Sequence, residues 1–132
     1  MVGIVIVSHS KKVAEGIAEL SMQMAGPNQK IVSAGGMEDG GIGTDAVRIS
    51  EAIRMADTGE GVVILVDLGS AVLSANLAIE LLEEAGVKID AKIADAPVME
   101  GSISAAVQAF IGGNIDEVIE AAELAREVLK LQ

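Results

Sequence analysis

Residues Val2–Ser8 read Val-Gly-Ile-Val-Ile-Val-Ser, a run dominated by β-branched residues with no polar position until its end. Alternating apolar and polar residues would mark a strand with one wet face. An unbroken apolar run marks a strand buried on both faces. Strands of that kind belong to parallel sheets, where the crossover helices cover both sides. This one segment commits the chain to an α/β architecture.

The remaining pattern agrees with it. Lys11–Ala25 reads as a helix with Val13, Ile17, Leu20 and Met24 on one face, stopped by Gly26-Pro27-Asn28. Lys30–Ala34 is a short second strand, and Gly35–Gly43 is a loop holding five glycines. Thr44 or Asp45 can cap the next helix, which runs to about Ala56. Gly59-Glu60-Gly61 turns into a third strand, Val62–Val66, ended by Asp67-Leu68-Gly69-Ser70. Ala71–Ala85 is a helix apolar almost all round, which predicts burial against a second subunit in a domain this small. Ile89–Ala94 is a fourth strand, interrupted by Asp90 and Lys92 and so expected at an edge. Pro97 precedes a helix near Ser102–Ile111. Gly112-Gly113-Asn114 opens the last helix, Ile115–Leu131, with Ile115, Val118, Ile119, Ala122, Ala125 and Leu129 facing inward. The expected fold is one domain over residues 1–132: an open parallel sheet of about four strands with helices on both faces.

Composition then narrows the function. A single aromatic residue, Phe110, disfavours functions that stack rings, and a net charge of −11 repels phosphate backbones. Nucleic acid is not an expected partner. With no cysteine there are no disulfides and no thiol chemistry. One histidine and no cysteine leave mainly carboxylates as metal ligands, so neither a zinc or iron site nor any cofactor is expected. The chain enters a strand almost at once, without a basic leader or a long apolar segment. A cytoplasmic protein without membrane association is the expectation.

In open parallel sheets, sites form at the carboxyl ends of the strands, where the strand order reverses. That rule nominates Ser8-His9-Ser10, the glycine loop and Asp67–Ser70. His9, the only histidine, is the only side chain whose unperturbed pKa lies near neutrality. A neutral imidazole can attack phosphorus if its other nitrogen gives a proton to a fixed acceptor, and Asp67 is placed to be that acceptor. The phosphoryl oxygens would need donors. Backbone N–H groups at a helix start near Ser10, at Gly40 and Gly41, and at Gly69 and Ser70 are candidates, as are the hydroxyls of Ser8, Ser10 and Ser70. The loop carries neither the Gly-Lys-Ser/Thr of a P-loop nor GxGxxG.

Three motifs carry a resemblance. Gly3–Ser10 with Lys11-Lys12-Val13-Ala14-Glu15-Gly16, the segment Gly35–Asp45, and Val66-Asp67-Leu68-Gly69-Ser70-Ala71 together resemble the mannose-type IIA family of the phosphoenolpyruvate:sugar phosphotransferase system. Within it they are most similar to the phosphoryl-donor (DhaM-type) subunits of PEP-dependent dihydroxyacetone kinase. The resemblance implies that His9 is phosphorylated, with Nε2 as the family's nitrogen, and that Asp67 orients it. It implies HPr as phosphoryl donor, ADP on the kinase's nucleotide-binding subunit as acceptor, and a homodimer. Sugar-type members carry Trp-Gly-Gly-Ser-Pro after this Asp, where this chain has Leu68-Gly69-Ser70-Ala71. That moves the reading from sugar transport toward dihydroxyacetone. Some relatives carry fused HPr-like and enzyme I-like domains; 132 residues leave no room for them, so HPr is expected as a separate protein.

Two other readings stay open on the residues alone. One is an aspartyl-phosphate receiver module using Asp67 at the end of the third strand, although Ser8-His9-Ser10 stands where such modules carry acids for Mg²⁺. The other is a ligand-binding module on the same fold, without chemistry.

Overall fold

The computed structural model describes residues 1–131. The elements run β1 (Gly3–Ser8), α1 (Lys11–Ala25), β2 (Ile31–Gly35), α2 (Ala46–Ala56), β3 (Val62–Val66), α3 (Gly69–Glu84), β4 (Ala91–Ile93), α4 (Val98–Phe110) and α5 (Ile115–Leu124). The four strands form one sheet in the order β2-β1-β3-β4, every neighbouring pair parallel.

Both faces of the sheet are covered, as the first strand requires. Val2, Ile4 and Ile6 face a core shared with α1, α4 and α5, while Val5 and Val7 face a second core shared with α2 and α3. All five side chains are fully buried. Burial of each contributes roughly 1.5–3 kcal/mol, so β1 is the structural axis of the domain. The strand order reverses between β1 and β3: the chain leaves β1 toward β2, then returns across it to β3. Val7 lies opposite Val66, so the residues that follow, Ser8-His9 and Asp67, emerge side by side.

α1 begins at its expected residue because Ser10 caps it, its side chain accepting from the Val13 N–H. Gly35, at the end of β2, allows that helix start to sit close to the sheet. A Cβ at Gly35 would fall 2.6 Å from the Ser10 carbonyl oxygen and 2.8 Å from the Ala14 Cβ. β4 is the expected edge strand but only three residues long, with Lys92 outward.

Two helices differ from expectation. α4 starts directly after Pro97, four residues before Ser102, because a proline is compatible with a helix start. It is packed between α1 and α5, and Gly101, Ser102, Ala105, Ala106 and Ala109 are buried there. α5 ends at Leu124 and passes through a 3₁₀ turn, Ala125–Glu127, into extended chain at Val128. Leu129 is therefore exposed rather than inward-facing. Contacts outside the helix redirect the chain: the Arg126 guanidinium donates to the Asp95 carbonyl, and Lys130 pairs with Glu100 at 3.0 Å. On α3 the inner face is Ala71, Ala75, Ala78 and Leu82, while Leu73 and Leu77 lie exposed on the single chain. The helix is less buried than its composition predicts because one side is turned from the sheet.

Candidate active site

His9 leaves the end of β1 and meets Asp67, which leaves the end of β3. The Asp67 carboxylate accepts four hydrogen bonds. Its Oδ1 takes the His9 Nδ1–H at 2.9 Å and the Leu68 N–H at 2.7 Å. Its Oδ2 takes the Ser8 hydroxyl at 2.9 Å and the His9 N–H at 3.0 Å. Burial raises the pKa of this carboxyl, but the bonds from His9, Ser8 and Leu68 outweigh it and hold the pKa below the ordinary value. Asp67 is thus ionised at neutral pH, and an ionised carboxylate can only accept.

That assignment fixes the imidazole. Nδ1 must carry the proton it donates to Asp67, so in the neutral ring Nε2 holds the lone pair. Nε2 faces the Ser70 hydroxyl at 2.5 Å. The His9 side chain keeps about 20% of its surface exposed at the carboxyl end of the sheet. A cleft of about 490 Å³ opens on the other side of Asp67, lined by Leu68, Gly69, Val72, Asn76, Asp95 and others but not by His9.

Ser70 stands in the first turn of α3, which starts at Gly69. Its N-cap is Leu68, which offers no side-chain hydrogen bond. The first amides of that turn have no intrahelical carbonyl to pair with. Together with the helix dipole they favour an anion beside Nε2. α2 and α5, by contrast, cap themselves with Asp45 and with an Asn114–Glu117 capping box. α1 also starts beside His9, with Lys11 and Lys12 and no acid in its first turn.

The other sequence candidates divide. Ser8 is buried, and its hydroxyl donates to Asp67 and accepts from the Ser10 N–H at 3.1 Å, so it orders the site rather than facing solvent. Ser10 is occupied as the α1 cap. Gly40 and Gly41 do not offer their amides: Gly40 donates to the Met37 carbonyl at 3.0 Å, and Gly41 to Asp39 Oδ1 at 2.8 Å. The glycine loop reaches the site at its two ends instead. The Gly36 N–H donates to the Ser8 carbonyl at 3.2 Å, and the Gly43 N–H to the His9 carbonyl at 2.9 Å. Neither contact is readable from the sequence. Thr44 is a cap candidate by sequence, yet Asp45 takes that role, and the Thr44 hydroxyl meets the Ser74 hydroxyl at 2.6 Å. The one sequence signal for this pair is two serines four apart in an apolar helix.

Comparison with known proteins shows the family of the chain. The family model described as the PTS system fructose IIA component, EIIA-man, matches residues 3–122. The chain is 39% identical over 120 residues to the phosphoryl donor subunit DhaM of PEP-dependent dihydroxyacetone kinase 2 from Listeria innocua, covering 91% of this chain and 95% of that protein. It is 43% identical to the corresponding Escherichia coli DhaM, covering 99% of this chain but 29% of the longer relative. The crystal structure of EF1359, a protein of unknown function, matches with a TM-score of 0.80 at 38% identity, covering 92% of both chains. The chain belongs to the mannose-type IIA (EIIA-man) family of the phosphotransferase system, among its DhaM-type phosphoryl donor subunits.

Proposed function

We propose that the chain is a phosphohistidine relay in which Nε2 of His9 accepts a phosphoryl group from HPr. It then passes the group to ADP held on the nucleotide-binding subunit of dihydroxyacetone kinase. The observation that carries this reading is the Asp67–Nδ1–Nε2–Ser70 alignment: one nitrogen is fixed as donor to a carboxylate, and the other keeps its lone pair, covered only by the Ser70 hydroxyl. In the first transfer the Nε2 lone pair attacks phosphorus, and the donor's own bond to phosphorus breaks as the new N–P bond forms. Ser70 occupies the direction from which phosphorus arrives, so its side chain must rotate aside and can then donate to a phosphoryl oxygen. The Gly69 and Ser70 amides, at the uncapped start of α3, are the further donors this reading assigns to the same charge. In the second transfer a terminal oxygen of ADP attacks phosphorus, releasing ATP and the neutral ring. The Nδ1 proton stays with the ring, held by Asp67, throughout, so the imidazole returns ready for the next cycle. Positioning and fixed dipoles supply the catalysis, with no metal or cofactor needed on this chain.

The relatives' names describe phosphoryl donor subunits of PEP-dependent dihydroxyacetone kinase; HPr as donor and ADP as acceptor are what the family resemblance implies. A homodimer on this reading would use the exposed Leu73 and Leu77 of α3. The protein acts in the cytoplasm on this reading, and no described helix is long and apolar enough to cross a membrane. An aspartyl-phosphate role for Asp67 is disfavoured, since both its oxygens are engaged by four donors.

The test is to incubate the chain with PEP, enzyme I and HPr and look for acid-labile, base-stable phosphate. His9→Ala should take up none; label persisting in that variant would overturn the reading. Adding the nucleotide-binding subunit with ADP should discharge the label into ATP.

A further inference from the structure

α3 presents two hydroxyls four residues apart, on one face of the helix. The first, Ser70, meets Nε2 of His9, and the second, Ser74, meets Thr44. Thr44 directly follows Gly43, whose N–H holds the His9 carbonyl. Besides its two bonds to Asp67, His9 is therefore gripped through its ring by α3 and through its backbone carbonyl by the glycine loop. The Thr44–Ser74 bond closes these two grips into one ring of contacts.

We propose that Thr44 and Ser74 are positioning residues for phosphoryl transfer, setting the first turn of α3 at its working distance from His9. The proposal rests on the phosphohistidine reading above. Neither hydroxyl serves as a helix cap, since Asp45 caps α2 and the first turn of α3 lacks a side-chain cap of its own. The rest of α3 is held by alanines and Leu82 against the sheet and α2. Those contacts are apolar and change little when a helix slides a few tenths of an ångström. A hydroxyl pair at 2.6 Å, part-buried, does not tolerate the same slide, because its energy falls steeply with geometry. Displacement of that turn moves Ser70 and the unpaired amides away from where phosphoryl oxygens must sit, and transfer rates respond to misplacements of this size.

The test uses full-length Thr44→Val, Thr44→Ser and Ser74→Ala. Rapid-quench transfer from phosphorylated HPr should show kcat reduced about fivefold in Thr44→Val and Ser74→Ala, with KM for HPr within about twofold of wild type. Thr44→Ser should restore the rate. The Thr44→Val/Ser74→Ala double variant should be no slower than either single one, because both remove the same bond. A second readout needs no turnover. His9 is the sole histidine, so its ¹⁵N ring resonances are unambiguous. The Nε2 resonance should shift in Ser74→Ala although residue 74 does not touch the ring. Wild-type rates in both single variants, a change confined to KM, or an unmoved Nε2 resonance would overturn the proposal. Phosphate that stays on His9→Ala would instead remove the underlying phosphohistidine reading.

Discussion

The seam between β1 and β3 and the glycine loop after β2 both close the carboxyl end of the sheet, and they use their polar groups in opposite ways. In the seam, side chains bond across elements: Asp67 alone ties together Ser8, His9 and Leu68. In the loop, backbone bonds mostly to itself: Met37 donates to the Gly41 carbonyl, Gly40 to the Met37 carbonyl, and Asp39 takes the Gly41 amide. Only the loop's ends, Gly36 and Gly43, reach His9 and its neighbour. Glycine content thus marks where chain can bend sharply, whereas the proposed chemistry sits where two buried strands bring side chains together.

Substitutions in the two regions should separate them sharply. The largest effect belongs to His9→Gln, which should lose phosphoryl acceptance entirely while its urea unfolding midpoint changes little; retained acceptance would move the chemistry out of the seam. Asp67→Asn comes next, slowing transfer by about 10²-fold, because the amide can present its NH₂ to Nδ1 and favour the wrong tautomer. Rapid-quench kinetics would measure that loss.

The same carboxylate gives the comparison a pH signature. Its folded pKa is depressed, so its bonds stabilise the native state above the ordinary carboxylate value of about 4 and are lost as pH falls below it. Thermal melts should show Asp67→Asn destabilised relative to wild type at about pH 7, with the gap narrowing toward about pH 3. An equal gap at both values would mean that the ionised form has no special role.

Two glycines of the same segment sharpen the contrast further. Gly35→Ala drives a Cβ into the start of α1 and should cost about 1–3 kcal/mol in urea denaturation, with slower transfer as His9 shifts. Gly40→Ala meets no atom within 4 Å, and its penalty comes only from a φ of 88°. It should cost about 1 kcal/mol and leave transfer within about twofold of wild type. A large loss of transfer in Gly40→Ala would restore the loop as a phosphate cradle and erase its contrast with the seam.

Much of the architecture is legible in the sequence. α1 and β3 have the expected bounds, because Ser10, Gly26 and the Gly59–Gly61 turn are local stop and start signals. α5 is shorter than its pattern predicts, because the apolar periodicity continues to Leu129 while the chain is turned away by Asp95 and Glu100, residues distant in sequence. α4 starts earlier than its pattern predicts, because Pro97 is compatible with a helix start and Gly101 allows close approach to Ala96 and the Ala122 carbonyl. The geometry of the candidate site is half legible: His9, Asp67 and Ser70 lie within hydrogen-bond distance, while Gly40 and Gly41 spend their amides inside the loop. The Thr44–Ser74 pair joins a loop to a helix across 30 residues, and the spacing of Ser70 and Ser74 marks the helix side alone, not its partner Thr44.

By itself, the sequence determined the parallel sheet with two covered faces and the end of that sheet at which His9 appears. A β-branched run and local caps act over a few residues and need no partner to be read. Only the tertiary structure decided which hydroxyls and amides reach the imidazole, because that depends on strand register. Placing Val7 against Val66 sets Asp67 beside His9, and the packing of α3 brings Ser70 to Nε2 and Ser74 to Thr44.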